Sequence, residues 1–174
     1  MALKSDRNEL QTDISFFMNE VATRGGVVSL STGGSGAAMD QGAALVNYAP
    51  QGPGASGKVP MGILLNDMVN LDLTRQHINQ HKDEVQKGGK VTILRKGYVV
   101  TNSIEGTEPS AGALAYPAHS GNISASWHGS DSSDHTGSAK VVGRFLSAVD
   151  EDGYAKVYID LPNTARPSGG QGAE

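Results

Sequence analysis

Two histidines in the stretch HINQHKDE have the spacing of a metal site. His77 and His81 are four residues apart, and Asp83 and Glu84 follow directly. On a helix, residues at i and i+4 share a face, and two histidines placed in this way form half of many zinc sites. The zinc-protease pattern also needs a glutamate between the histidines, and this sequence has none there.

The surroundings of this histidine pair favour a second interpretation. A zinc site needs a third ligand, and the other histidines lie far along the chain, at positions 119, 128 and 135. The residues around the pair carry mixed charges, which is typical of a solvated connection or a polar subunit contact. We therefore expect no metal and no other cofactor, and we interpret HINQHKDE as a polar crossing between a strand that ends near Leu73 and one that starts at Lys90.

Other chemical motifs are incomplete. The stretch TGGSGAAMD lacks the lysine of a phosphate-binding loop, and Ala37 occupies the last glycine position of a nucleophile elbow. The chain has no cysteine, so it has neither disulfides nor a thiol nucleophile. A formal net charge of −4 does not favour nucleic acid as a partner. The polar N-terminus and the short apolar runs predict no signal peptide and no membrane span. We expect a protein that is not an enzyme.

The elements that would position these residues are short strands. The chain has 23 glycines and 7 prolines, and short β-branched runs are separated by turn residues. This pattern predicts an all-β fold, a small barrel or sandwich. Asp152-Gly153 predicts a hairpin between KVVGRFLSAV and YAKVYIDL, and residues 120–122 predict a turn between two further strands. We also expect a tight turn at Gly97 between KVTILRK and YVVTNSI.

The N-terminal segment has a different pattern. Ile14, Phe17, Met18 and Val21 recur at i, i+3, i+4 and i+7, as in a helical stripe, and Phe16 lies beside them. Two interpretations remain open: the stripe packs on the protein's own core, or it docks on a neighbouring subunit. We expect residues 1–24 to form an extended or partly helical arm, residues 25–161 a β-rich domain, and residues 162–174 a disordered tail rich in Pro and Gly.

Two further features concern the surface and an internal echo. Trp127 precedes the polar stretch HGSDSSDH, where it either anchors a loop or takes part in a subunit contact. The sequence GILLN at residues 62–66 resembles GRFLS at residues 143–147. If this is a repeat, it implies two similar β-units packed together.

Three blocks of the chain resemble a known family. These are GGVVSLSTGGSGAAMDQGAALVNYA, PMGILLNDMVNLDLTRQHINQHKDEVQKGGKVTILRKGYVVTN and VVGRFLSAVDEDGYAKVYIDLP. Together they are similar to the capsid decoration (cement) proteins of tailed bacteriophages over roughly residues 25–161. The resemblance implies a compact β-barrel or β-tulip domain without enzymatic activity. It also implies a homotrimer on the outer surface of the virion head that braces neighbouring subunits of the major capsid protein.

The sequence thus leads to one principal hypothesis and one alternative. The principal hypothesis is a structural virion protein whose capsid or subunit contact uses Ile14, Phe16, Phe17, Met18, Val21 and Trp127. The alternative is a virion-surface β-domain that binds host glycans, with Trp127 and Tyr116 stacking on sugar.

Overall fold

Strands dominate the computed structural model, which describes residues 3–30, 45–48, 60–67, 84–85, 87–126 and 141–161. The prediction of an all-β chain is confirmed, and the helical structure in these ranges is a 3-10 turn at His119–Gly121. The strands are β1 (Asn8–Met18), β2 (Ala22–Thr23), β3 (Val27–Leu30), β4 (Leu45–Tyr48), β5 (Pro60–Asp67), β6 (Glu84–Val85), β7 (Lys90–Thr101), β8 (Leu114–Pro117), β9 (Ile123–Ser124), β10 (Gly143–Phe145) and β11 (Ala155–Asp160).

Nine of these strands form one sheet, in the order β1-β4-β3-β5-β7-β11-β10-β8-β9, and β2 pairs with β6 separately. β1 also pairs with β7, so β1, β4, β3, β5 and β7 make a closed cycle of neighbours. The β1–β4 pairing is parallel, whereas β7 is antiparallel to β1, β5 and β11. A closed cycle is the pairing that a barrel requires. The barrel itself stays a prediction.

The long strand β7 organises the sheet. β5 pairs with its residues 91–94 and β11 with residues 96–101, while β1 runs beside residues 90–98. β1 and β5 pair with some of the same β7 residues, so they lie on opposite edges of β7. The first half of β7 therefore belongs to the cycle of five strands. The second half of β7 pairs with β11, which continues the sheet beyond the cycle.

Two hydrophobic cores lie on opposite faces of a shared wall. Successive residues of the wall strands point to different cores, as Ile63 and Leu64 do in β5 and Ile93 and Leu94 do in β7. The first core contains Phe16, Met18, Ala22, Val28, Val46, Leu64, Val85, Val91 and Ile93. The second core contains Leu3, Val27, Ile63, Leu65, Leu94, Val99, Ala115, Ile123, Val142, Phe145, Ala155, Val157, Ile159 and Leu161. Strands buried on both faces read as continuous apolar runs, which GILL and TIL show.

The helical interpretation of the N-terminal segment is wrong, and the extended alternative holds. Residues 8–18 form β1, whose backbone pairs with β7 along its length. Met18 is buried and Val21 is exposed, so the residues that fit a helical stripe do not share one face. Three register shifts in β1 displace the period-2 alternation that marks a strand, which is why the sequence pattern misleads.

The predicted tight turn at Gly97 is also wrong, because β7 continues through it as one strand. Gly97 has φ 139°, and a Cβ atom there would lie 2.0 Å from the carbonyl oxygen of Asn8. The pairing between β1 and β7 shifts register at this point, between Glu9 and Gln11. The glycine therefore permits a bulge and a close approach of two backbones rather than a reversal.

The two predicted local reversals are confirmed. β10 and β11 are antiparallel, and one carboxylate oxygen of Asp150 accepts hydrogen bonds from the backbone amides of Asp152 (3.1 Å) and Tyr154 (2.7 Å) in the turn between them. Such a side-chain cap is a common device of tight turns. β8 and β9 are antiparallel across the 3-10 turn His119–Gly121.

The two echoed glycines occupy matching places in the sheet. Gly62 lies in β5, which pairs with β7, and Gly143 lies in β10, which pairs with β11. A Cβ atom at Gly62 would lie 2.3 Å from the carbonyl oxygen of Leu94, and one at Gly143 would lie 1.9 Å from that of Tyr158. The echo thus marks two strands that approach a central neighbour closely, while an internal repeat stays a prediction.

Several predicted features lie outside the described residues, namely the Gly-rich stretch TGGSGAAMDQGA, most of HINQHKDE, Trp127 and the tail 162–174. No helix in the described part of the chain is long and apolar enough to cross a membrane.

Candidate functional site

Most residues with the spacing of a metal site lie outside the described structure. His77, His81, His128 and His135 lie outside the described residues, and Glu84 lies in β6. Among the residues that are described, no group of three or more His, Asp or Glu side chains is arranged to hold a metal ion.

The predicted contact residues of the N-terminal segment divide into two groups. Phe16 and Met18 are buried in the first core, with exposed fractions of 6% and 0%. For these two residues the structure supports the first of the two interpretations, packing on the protein's own core. Ile14 and Phe17 are half-buried, and Val21 is 56% exposed. Ile14, Phe17 and Val21 are thus the members of the set that reach the surface.

The first described residues, Leu3 and Lys4, are attached to the end of β7 and to the β10–β11 hairpin rather than projecting from the fold. Leu3 is buried in the second core and bridges to Thr101 at the end of β7. The Lys4 ammonium lies 2.8 Å from Asp150 Oδ2 and 4.3 Å from the centre of the Tyr154 ring. We call this attachment of Leu3 and Lys4 the N-terminal latch.

Hydrogen bonding within the latch shifts both of its ionisable groups towards their charged forms. The hydrogen bond from Lys4 holds the pKa of Asp150 below its ordinary value, and the same bond raises the pKa of Lys4. Asp150 uses its other carboxylate oxygen to cap the hairpin turn. One side chain therefore joins the start of the chain to the geometry of the C-terminal hairpin.

A second set of contacts continues this attachment. Asp6 lies 3.5 Å from the Lys156 ammonium and accepts a 3.4 Å hydrogen bond from the Tyr98 hydroxyl. The Lys156 ammonium also lies 3.8 Å from the centre of the Tyr98 ring. These partly exposed pairs contribute little individually, but together they hold the N-terminal residues against β7 and β11.

An ion pair also anchors β1 to β7. Arg95 Nη1 lies 3.1 Å from Asp13 Oδ2, and the Ser15 amide donates to Asp13 Oδ1 at 2.8 Å. Partial burial opposes ionisation of Asp13, but the hydrogen bonds from Ser15 and Arg95 outweigh it, so the pKa of Asp13 is lowered. This bond lies where β1 changes register, between Asp13 and Phe16.

A histidine that the sequence left unplaced lies in a carboxylate clamp. His119 Nδ1 is 3.0 Å from Glu105 Oε1, and Asn122 Nδ2 donates to Glu105 Oε2 at 3.3 Å. The hydrogen bond with His119 lowers the pKa of Glu105. The clamp holds the turn between β8 and β9, in which Ser120 has a positive φ of 50°. His119 therefore supports a turn in the described structure.

One row of directly opposed residues crosses the outward face of five strands. Leu114 of β8 faces Arg144 of β10, Arg144 faces Tyr158 of β11, Tyr158 faces Tyr98 of β7, and Tyr98 faces Asn8 of β1. Directly opposed side chains on one face lie about 5 Å apart at Cβ. This outer row was not predicted from the sequence, although alternate burial in β11 marks its outward side.

At the β8–β10 end of the outer row, apolar side chains flank a cation. Leu114 and Leu146 are 36% and 46% exposed, and Arg144 between them is exposed. Arg144 Nη1 donates a 2.7 Å hydrogen bond to the Gly112 carbonyl oxygen, and within the described ranges it has no carboxylate partner. We call Leu114, Arg144 and Leu146 the Arg144 patch.

Tyr116, the residue considered for sugar stacking, lies half-buried in β8.

Comparison with known proteins gives one family. The family model described as "Structural cement protein (E217 gp24/Pam3 gp6)" matches residues 12–160. This match covers most of the 174-residue chain and includes all strands from β2 to β11. No curated protein matches the sequence.

Proposed function

The chain belongs to the structural cement proteins of bacteriophages, and we propose that it binds the outer surface of the phage head and stabilises contacts between neighbouring major capsid subunits. A structural, capsid-stabilising role and a place in the virion follow from membership of the family. The family match over residues 12–160 is the observation that carries the proposal.

The architecture supports such a mechanical role. β3, β5 and β7 are shared by both cores, so the two halves of the fold cannot shift against each other without disrupting buried side chains. Both ends of the described chain are fixed to this wall, since β1 pairs with β7 and so does β11. A rigid body of this kind transmits force between two bound surfaces.

We assign part of the capsid or subunit contact to Ile14, Phe17 and Val21. Val21 is one of the most exposed large apolar side chains in the described residues, and it lies just beyond the end of β1 at Met18. Phe16 and Met18 support this contact from inside the first core by holding β1 in place. Trp127, which lies outside the described residues, is proposed as a further contact residue. We also propose that the protein assembles as a homotrimer.

The test of this function is a binding measurement on heads. Expanded heads prepared without the protein are mixed with purified protein, and the bound copies are counted against the major capsid subunits. We expect saturable binding by the wild type and at least tenfold weaker binding by Val21→Asp, because a buried unpaired charge is costly at an interface. Sedimentation measures the oligomer, with three times the 18.1 kDa chain mass expected for a trimer.

Leu10→Asp is the matched control, since Leu10 is also in the N-terminal segment and is 62% exposed. We expect it to bind like the wild type. Equal binding by all three proteins would contradict the contact assigned to Val21 but leave head binding intact. Wild-type protein that does not bind the heads would contradict the proposed function itself.

A further inference from the structure

We propose that the Arg144 patch is a second contact surface that binds a carboxylate flanked by apolar side chains on the capsid shell. This inference rests on the proposed function and adds the chemistry of one partner surface. A protein that braces neighbouring subunits must touch at least two of them, and one contact near Val21 supplies only one side of the bridge. The Arg144 patch lies on β8, on β10 and on the residue just after β10, at the other end of the sheet order from β1.

The patch has the composition of an interface centre. Arginine with exposed leucines on either side offers a charged anchor and an apolar surface that excludes water from it. Leu114 lies directly opposite Arg144, and Leu146 is the next outward residue of the same segment because Phe145 between them points into the second core. The three side chains therefore form one continuous surface.

The guanidinium is already oriented for a partner. Its Nη1 atom is held by the carbonyl oxygen of Gly112 at 2.7 Å, which leaves the other donors of the planar group for an incoming ligand. A guanidinium presents paired donors that match the two oxygens of a carboxylate. Fixing the arginine before binding lowers the entropy that is lost when the contact forms.

Charge pairing on the same side of the sheet singles out this arginine. Lys96 pairs with Asp160 at 3.4 Å and Lys156 with Asp6 at 3.5 Å, whereas Arg144 has no carboxylate partner in the described part of the chain. We therefore assign the complementary carboxylate to the capsid partner. A twofold contact of the patch with itself would place Arg144 against the same arginine of the second copy, which disfavours that occupant.

The test compares Arg144→Gln with Lys96→Gln on expanded heads that lack the cement protein. Each variant removes one positive charge from the outward face of the same sheet. A thermal unfolding measurement checks that each variant is folded. We expect Arg144→Gln to weaken binding by about tenfold or more, because an interfacial charge pair is lost. Lys96→Gln should weaken it by less than about fivefold, as is usual for an exposed pair. The binding of Arg144→Gln should also depend less on salt than that of the wild type.

Each result decides the question. Selective loss of head binding in Arg144→Gln supports the patch as a capsid contact. Wild-type binding of Arg144→Gln overturns the inference while the proposed function stands. A smaller oligomer without loss of head binding would assign the patch to a contact between copies and would also overturn it. Wild-type protein that fails to bind heads would overturn the proposed function and this inference with it.

Discussion

The two cores share a wall, yet they are closed in different ways. The first core is closed by β1, which comes from the start of the chain and pairs with β7 through three register shifts. The second core is closed by the β10–β11 hairpin. β10 pairs with β11, and β11 pairs with β7, and neither pairing has a register shift. The difference shows that an irregular long-range closure and a regular local one coexist in the same sheet.

The N-terminal latch ties the second closure to the start of the chain. Leu3 is buried in the second core, although β1, only a few residues later, completes the first. Substitutions that disrupt the N-terminal latch are therefore expected to affect both cores.

The largest effect is expected from removing a large side chain from each core. Met18 of the first core and Phe145 of the second are both fully buried. We expect Met18→Ala to lower the free energy of unfolding by about 2–5 kcal/mol and Phe145→Ala by about 3–5 kcal/mol. Urea denaturation followed by circular dichroism measures both values. Because β3, β5 and β7 belong to both cores, each variant should still unfold in one transition.

Leu10→Ala is the control for this pair, since Leu10 lies in β1 but is exposed. We expect it to change the free energy of unfolding by no more than about 0.5 kcal/mol. Two separate unfolding transitions in either core variant would show that the cores are independent, contrary to the shared wall.

A smaller effect is expected from the two echoed glycines. Gly62→Ala and Gly143→Ala each place a Cβ atom against a backbone oxygen, and a backbone cannot move aside as a flexible side chain can. We expect each to destabilise the protein by about 1–3 kcal/mol, as overpacked sites do. Gly62 has φ 153°, so its substitution adds backbone strain that Gly143→Ala does not. Thermal or urea unfolding measures the difference.

Gly153→Ala distinguishes backbone strain from a steric clash of the added Cβ atom. Gly153 has a positive φ of 84°, but nothing lies within 4 Å of a Cβ atom built there. We expect a loss of about 1 kcal/mol from strain alone. A loss at Gly143 no larger than that at Gly153 would contradict the close approach of β10 to β11.

The contrast between the two closures also explains what the sequence could predict. The β10–β11 hairpin was predicted because its determinants, Asp150 to Gly153, are adjacent in sequence and act through local hydrogen bonds. β1 was misread because its bulges remove the alternation of a strand, and only the distant partner β7 makes it extended. Gly97 has the sequence pattern of a turn. A glycine is required there because the backbone passes close to the carbonyl oxygen of Asn8, a residue that is distant in the sequence.

The candidate site was predictable to a lesser degree. The sequence marked the apolar residues near β1, but not that Phe16 and Met18 face inward while Val21 faces outward. The Arg144 patch depends on which residue of β8 faces Arg144, and strand register over such a separation is not encoded locally. HINQHKDE, the stretch with the most obvious chemistry, falls mostly outside the described residues.

The smallest of the three effects is expected at the N-terminal latch, where Asp150→Asn removes the charge but keeps an oxygen for the turn amides. The pKa of Asp150 is lowered by the fold, mainly through the hydrogen bond from Lys4, so its stabilisation is complete above the ordinary pKa and is lost as pH falls through the lowered one. Wild-type and Asp150→Asn melting temperatures should therefore differ at pH 7 and converge in acid, and the difference should shrink in high salt. Glu151→Gln is the control, because Glu151 is exposed at the same hairpin tip and makes no hydrogen bond or ion pair among the described residues. A constant difference from pH 7 down to acid would mean that Asp150 acts through turn geometry alone, and of the N-terminal latch only the buried Leu3 would then help to close the second core.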